Sequence, residues 1–304
     1  MIKCTFVINP IRPDYIKNCI LSLYKYTDMS DKKVVVVDQT KYGVFLNELW
    51  IEVNEKIHMY LRPHRNLGFS KSHNEGIIHG LRWGSEYIAC LNDDIEFMDD
   101  RWWNGIVETF KTDEKIMAVN PMSPREPGWG YGWEHGKYID LISYKPEFTK
   151  EDYDYLLTGD FTSVQGLPDS FPRHKTGVID GIATWGTVFK KEFFQKFGLF
   201  EERYYPGGGE DYDMDARCYR EGYRMVGTTR SWVWHWWGSS KDKEADYQGE
   251  SLPIEDRFRW ADRDYLWPPE KNGGQVMDPW GKWTDSQGKK HPMYRLPEIG
   301  IVEI

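Results

Sequence analysis

Tyr87-Ile88-Ala89-Cys90-Leu91-Asn92-Asp93-Asp94-Ile95-Glu96 decides how this chain is read. Five residues of strand character run straight into an acidic turn, with no polar residue inside the run to suggest an exposed face. A short apolar run of this kind fits a strand buried on both sides, as in a parallel sheet. Outward from it the pattern repeats. Cys4-Thr5-Phe6-Val7-Ile8 is a β-branched and aromatic run stopped by Asn9-Pro10. Pro13 and Asp14 suit the first turn of a helix, and Ile16, Cys19, Ile20 and Leu23 follow at helical spacing. Val34 to Val37 is a second strand and Ile57 to Leu61 a third. Ser70 to Trp83 reads as a helix, Trp102 to Phe110 as another, and Ile116 to Asn120 closes the series. Strands alternating with helices predict a doubly wound, mostly parallel sheet. Such sheets bind ligands outside the carboxyl ends of their strands. Asp38 and the Asn92 to Glu96 turn both fall at such ends, which puts their carboxylates on one rim.

Bulk properties narrow the function. The 304 residues carry a formal charge of -9, which argues against a dominant nucleic-acid footprint and disfavours a nucleic-acid acceptor. Cys4, Cys19, Cys90 and Cys218 form no close pair and read as buried, reduced thiols, fitting a cytosolic compartment. No signal-type segment or apolar run of membrane-spanning length is seen, and peripheral membrane contact stays open. The 15 Trp and 19 Tyr are concentrated in polar, Gly- and Pro-rich stretches. Flat rings of this sort suit sugar stacking, although each taken singly also reads as packing.

Beyond Ser123 the periodicity dissolves until about Gly177, across Trp129, Tyr131, Trp133, Tyr138, Tyr144, Tyr153 and Tyr155. Regular structure returns over Val178 to Lys190, with a helix from Lys191 to Phe197 and another after Gly209. A strand over Ser231 to Trp236 ends it. From Gly238 onward the chain is polar, rich in Pro and Trp, and without clear period. The expected organisation is one domain over 1–238 (nucleotide-binding half 1–120; acceptor and catalytic half 121–238 with an insertion at 123–177) and an irregular extension over 239–304.

Four features carry candidate chemistry. The Asn92 to Glu96 turn can give a hard cation a partial oxygen shell, or simply cap the next helix. Gly207-Gly208-Gly209-Glu210-Asp211-Tyr212-Asp213 allows close backbone approach to a ligand and presents carboxylates fit for a general base, or else decorates a helix start with acids; Met214 and Cys218 would face inward. His235, in an aromatic strand, is a metal ligand or a structural histidine. Arg65-Asn66-Leu67-Gly68-Phe69 with Asn74 and Gly76 forms a loop-to-helix entry suited to phosphate or ribose. Neither a P-loop nor a Gly-x-Gly-x-x-Gly fingerprint is present.

Taken in order, these pieces resemble the inverting family-2 glycosyltransferases of GT-A fold, particularly their rhamnosyl- and galactofuranosyl-transferase-like branch. The residues that carry the likeness are Asn9-Pro10-Ile11-Arg12-Pro13-Asp14-Tyr15, Val36-Val37-Asp38, Asn66-Leu67-Gly68-Phe69 with Asn74-Glu75-Gly76, and Leu91-Asn92-Asp93-Asp94. They continue through Gly186 to Glu192, Phe197-Gly198-Leu199-Phe200, Glu210-Asp211-Tyr212-Asp213, Gly222-Tyr223-Arg224 and His235, covering roughly residues 4 to 238. The resemblance implies a GT-A (Rossmann-like) α/β fold and a nucleoside-diphosphate sugar donor. Asp38 would bind the base, uracil by preference, and Asn9, Pro10, Arg12, Arg65, Asn66, Gly68 and Asn74 would complete the nucleotide pocket beside Asn92 and Asp93. It further implies Asp94 and His235 as ligands to Mn2+ or Mg2+, Asp211 as the base that deprotonates an acceptor hydroxyl, and Glu210 as a group that orients the acceptor, a glycan or other hydroxyl-bearing molecule. Position 92 carries Asn where the family pattern has Asp, and Glu96 is the neighbouring carboxylate that would compensate. A non-catalytic sugar-nucleotide binding module on the same fold is the competing reading. A nucleotidyltransferase is disfavoured, because no Gly-rich, Arg-containing loop follows the first strand.

Overall fold

The computed structural model describes residues 2–40, 50–63, 66–125, 141–142, 148–163, 177–181, 183–202, 204, 207, 209–236, 282–284 and 290–292. Its first half follows the expected alternation: β1 (Cys4–Ile8), α1 (Pro13–Tyr26), β2 (Lys32–Val37), the short α2 (Trp50–Val53), β3 (Met59–Leu61), α3 (Gly68–Arg82) and β4 (Tyr87–Leu91). β1, β2, β3 and β4 pair in parallel, in the order β3-β2-β1-β4. Every residue of β1 and β4 is buried, as expected of strands covered on both faces, and the Thr5 hydroxyl in β1 shares a hydrogen bond with Ser85 Oγ at 2.7 Å. Side chains alternate between the two faces. Phe6, Ile8, Ala89 and Leu91 join α1 in one core, whereas Val7, Ile88 and Cys90 join α3 in the other.

The second half departs from simple alternation. β5 (Ile95–Phe97), α4 (Trp102–Thr112) and β6 (Ile116–Met122) are followed by α5 (Lys150–Thr158), β7 (Val178–Asp180), β8 (Gly186–Lys190), α6 (Lys191–Phe197), α7 (Glu210–Arg220) and β9 (Arg224–His235). The sheet continues past β4 as β8-β6-β9-β5, with β7 also on β9. β8 runs against both β4 and β6, and β5 and β7 run against β9, while β6 and β9 keep the common direction. The sheet is therefore mixed, and local strand–helix alternation carries no information about the reversal at β8.

Three boundaries move as well. The acidic turn ends at Asp94, because Ile95 and Glu96 belong to β5. The last strand is longer than the Ser231 start suggested, since β9 begins at Arg224. The aperiodic stretch contains a helix, α5, closed by a full capping box in which Thr149 and Asp152 satisfy each other's backbone N–H. Tyr153 and Leu156 of α5 pack with Met98, Met122, Phe161, Trp232 and Trp234 in a third apolar cluster, and the Tyr153 hydroxyl accepts from the Trp232 N–H at 3.2 Å. Beyond residue 236, Lys282–Thr284 (β10) and Lys290–Pro292 (β11) form an antiparallel pair inside a region expected to be irregular. Trp129, Tyr131, Trp133, Tyr138, Tyr144 and most of 239–304 lie outside the described residues.

Met214 and Cys218 are fully buried and seat α7 on the second core, as their spacing predicts. Gly76 explains how α3 sits so close to the sheet: a Cβ there would meet Val7 Cγ1 at 2.2 Å. Among the described residues no helix is long and apolar enough to cross a membrane.

Candidate active site

The carboxyl ends of β1, β2 and β4 deliver Asn9–Arg12, Asp38–Thr40 and Asn92–Asp94 to one rim of the sheet. Asp93 stitches two of these loops together. Its Oδ2 accepts the backbone N–H groups of Ile11 and Arg12 at 2.9 and 3.0 Å. Burial first, and the neighbouring Asp94 charge second, push its pKa up, while those backbone bonds oppose the rise. The side chain expected on the nucleotide side thus clasps the loop after β1.

Asp94 and His235 come together through the β5–β9 pairing. Ile95 lies opposite His235 in register, and the Trp236 N–H donates to the Asp94 carbonyl at 3.0 Å. One residue back from that pair, the Asp94 carboxylate Oδ1 stands 3.3 Å from His235 Nε2, with side-chain exposures of 2 and 3 %. The two groups thus face each other inside the protein rather than in solvent. The Trp185 ring lies flat on the imidazole, with centroids 4.5 Å apart at 11°. Asn92 enters the turn with its N–H bonded to the Trp185 carbonyl at 2.7 Å.

This pair tests the fit of a divalent cation. One carboxylate oxygen and one imidazole nitrogen at 3.3 Å are donors that Mn2+ accepts readily and Mg2+ accepts in part, leaving further positions for phosphate oxygens and water. The donor set fits a partial shell. Among the described residues no group of three or more His, Cys, Asp or Glu converges as a complete one. Glu96 Oε1 accepts from Asn18 Nδ2 at 3.2 Å and Trp236 Nε1 at 2.9 Å, so this oxygen braces α1 against the strand end.

A neutral network lines the other end of the rim. Asn9 Nδ2 reaches Ser72 Oγ at 2.7 Å and His73 Nδ1 at 2.6 Å. Gln39 donates to Ser72 Oγ at 3.0 Å, accepts the Leu67 N–H at 2.7 Å, and donates its own N–H to the Pro10 carbonyl at 3.0 Å. Asn66 Oδ1 takes the Gly68 N–H at 2.8 Å. Burial drives the His73 pKa down to about 4, so the imidazole is neutral. Asp38 is satisfied within the protein: Oδ1 accepts the Thr40 N–H and hydroxyl at 2.8 and 2.6 Å, and Oδ2 accepts the Tyr60 hydroxyl and Arg62 Nη1, the latter at 2.9 Å. Arg12 lies over the Tyr15 ring at 5.2 Å. Arg65 lies outside the described residues.

Asn74, expected in the nucleotide pocket, has its amide committed elsewhere. Nδ2 donates to the Phe200 carbonyl and Oδ1 accepts the Phe200 N–H, both at 2.9 Å. It ties α3 to the segment leading towards α7.

Glu210 and Asp211 stand on a separate element, the first turn of α7. Gly209 precedes them with φ 101°, a left-handed conformation natural to glycine. Glu210 is buried and Asp211 partly exposed. Gly207 abuts Phe69, where an added Cβ would lie 3.3 Å from Phe69 Cβ, which brings the approach to α7 alongside the start of α3. Further along α7, Arg217 Nη2 pairs with Asp213 at 2.6 Å while Nη1 donates to the carbonyls of Phe197 and Leu199 at 2.7 and 3.0 Å. That buried arginine anchors α7 to the end of α6.

Sequence reasoning missed Gln39, Ser72, His73 and Trp185. His73 sits one residue before the quoted Asn74, and Trp185 one before the quoted Gly186, so proximity to motif residues was the available signal.

A family model described as "Glycosyl transferase family 2" matches residues 6–167. No curated protein matches the chain significantly. Among solved structures, the chain is similar to GalNAc-T7 with UDP, GalNAc and Mn2+, at 15 % identity and TM-score 0.57, covering 85 % of this chain and 48 % of that one. It also matches the mannosyltransferase PcManGT from Pyrobaculum calidifontis in complex with GDP-Man and Mn2+, at 13 % identity, TM-score 0.48, and 85 % and 59 % coverage. A third match is S. aureus TarS 1–349, at 13 % identity, TM-score 0.48, and 77 % and 60 % coverage. The chain thus spans about half to three-fifths of the length of these structures, and at such identities the likeness is one of fold.

Proposed function

The chain belongs to glycosyl transferase family 2, and on that premise we propose that it moves a sugar from a nucleoside-diphosphate sugar, UDP-linked by preference, to an acceptor hydroxyl with inversion at the anomeric carbon. The observation that carries this reading is the buried contact between Asp94 and His235 at 3.3 Å, formed by residues far apart in sequence at the carboxyl edge of the sheet. The rhamnosyl- and galactofuranosyl-transferase-like branch is the proposed kinship, and the cytoplasm the proposed compartment. The catalytic unit is assigned to residues 1–238 and the remainder to an extension.

In this scheme Asp94 and His235 hold Mn2+ or Mg2+, which when bound supplies positive charge to the oxygens of the departing diphosphate. Asp211 accepts the proton of the acceptor hydroxyl as that oxygen attacks from the face opposite the diphosphate. Glu210, buried beside it, orients the acceptor. The Asn9, Gln39, Ser72 and His73 network holds the loop after β1 against α3, so that the backbone from Pro10 to Arg12 meets the nucleotide in a fixed shape. Asp38 contributes to the base pocket through the Tyr60 and Arg62 side chains it orients. Asp93 and Asn74 act as struts for this machinery. The fold shared with a structure holding UDP and Mn2+ supports the choice of nucleotide and metal.

The test is nucleotide release from a panel of UDP-, GDP- and dTDP-sugars with Mn2+ or Mg2+, repeated with EDTA. Metal-dependent release from at least one donor is expected. No release from any donor, together with nucleotide binding that ignores metal, would favour the non-catalytic module.

A further inference from the structure

We infer that Trp185 is a positioning residue for the cation site, its ring fixing the plane of His235 and its backbone carbonyl fixing the entry to the Asn92–Asp94 turn. This rests on the reading of Asp94 and His235 as metal ligands. Three observations converge on it. The indole and imidazole are nearly parallel and in face contact, with centroids 4.5 Å apart and planes 11° from parallel. The same residue accepts the Asn92 N–H at 2.7 Å, so one residue touches both strand ends that meet at the site. Its indole Nε1 is buried and has no hydrogen-bond partner among the described residues, in a side chain only 4 % exposed.

A tryptophan buried for packing alone ordinarily finds a partner for its N–H. Here that bond is forgone while the ring stays flat on the imidazole, so ring-on-ring contact is what the arrangement preserves. The geometry matters because an imidazole presents its lone pair in the ring plane, and a tilt swings Nε2 away from the position shared with Asp94 Oδ1. Metal-binding histidines commonly have their orientation set by neighbouring groups, and loss of such a neighbour typically costs roughly 10- to 100-fold in metal affinity. The local backbone favours this placement. Trp185 directly precedes β8, whose first residue Gly186 pairs with Leu91, immediately before the turn.

The experiment measures Mn2+ affinity by electron paramagnetic resonance of free Mn2+, with UDP present, for the full chain. Trp185→Met keeps bulk without the ring, Trp185→Phe keeps a ring, and Asp94→Asn and His235→Ala serve as references. The methionine variant is expected to bind Mn2+ about tenfold more weakly, the phenylalanine variant to stay within about twofold of wild type, and UDP affinity without metal to be unchanged in both. Wild-type Mn2+ affinity in the methionine variant, or an equal loss in the phenylalanine variant, overturns the inference. Should Asp94→Asn and His235→Ala also bind Mn2+ normally, the metal-pair reading itself fails; should they alone lose it, only the role of Trp185 fails. If the methionine variant does not fold, Trp185→Leu takes its place, with the same two outcomes.

Discussion

The two ends of the rim are built from opposite materials. At the β1–β2–α3 end, Asn9, Gln39, Ser72 and His73 form a neutral network that local βαβ structure assembles, and even the Asp38 carboxylate is saturated by four protein donors. At the β4–β5–β9 end, a carboxylate and an imidazole face each other in a nearly dry setting. The first end is shaped before any ligand arrives. The second is the pair that the proposed function assigns to a divalent cation. Under the proposed function, the contrast would separate holding a nucleotide from handling the charge of its diphosphate.

The largest expected effect lies on neither end. Asp211→Asn removes the proposed base and should lower kcat by about 10²- to 10⁴-fold while leaving Mn2+ and UDP binding near wild type. Steady-state kinetics alongside calorimetry check this, and wild-type turnover would remove Asp211 from the mechanism. Next comes Arg217→Met, which removes the buried ion pair with Asp213 and releases two backbone carbonyls. Breaking a buried pair from one side costs roughly 3–5 kcal/mol, read as a lowered denaturant midpoint. An effect under about 1 kcal/mol would mean that α7 is not anchored there.

The neutral end makes a pH prediction. The folded pKa of His73, about 4, lies below the ordinary value near 6.5. Between those two values the unfolded chain binds a proton that the folded one refuses. Stability contributed by neutral His73 is therefore fully present above about pH 6.5 and is lost as pH falls towards 4. The loss should be on the order of 2–3 kcal/mol, measured by urea denaturation across that range, and His73→Gln should flatten it. A profile identical in the variant would show that the network tolerates a charge. The smallest effect is expected for Asn74→Ala. Losing both bonds to Phe200 should cost about 1–3 kcal/mol with little change in donor KM at saturating metal; a large KM increase without destabilisation would return Asn74 to the nucleotide pocket.

The same contrast marks what could be read from sequence. β1, β4, α6 and the Pro13 helix start were legible because their signals are local: β-branched, aromatic and apolar runs, a proline at a first turn, helical spacing. The reversal of β8 was hidden because an apolar five-residue strand looks the same in either direction. Residues Ile95 and Glu96 were assigned to a turn because their strand character comes from pairing with β9, a partner distant in the chain. Helix α5 was obscured by the aromatic and acidic residues around it, although the Thr149–Asp152 capping pair was present.

For the site, Asp94 and His235 were proposed from family likeness, and the β5–β9 register supplies the contact between them. Asn74 and Asp93 carried equally strong motif signals, yet their side-chain atoms bind protein backbone. Motif position does not distinguish a ligand-binding amide from one that holds the binding loop. His73 and Trp185 escaped notice because their importance lies in what they face across the fold.

The central claim is that Asp94 and His235 act as one unit at the reacting end of this rim. A double-mutant cycle on metal-dependent nucleotide release, using Asp94→Asn, His235→Ala and the combination at fixed Mn2+, tests it most directly. Residues that serve a single function are strongly non-additive. Each single variant should lose most of the metal-stimulated rate, and the double variant should lose little more than the worse single one. Losses that multiply, or a single variant that keeps its full response to Mn2+, would contradict the pair.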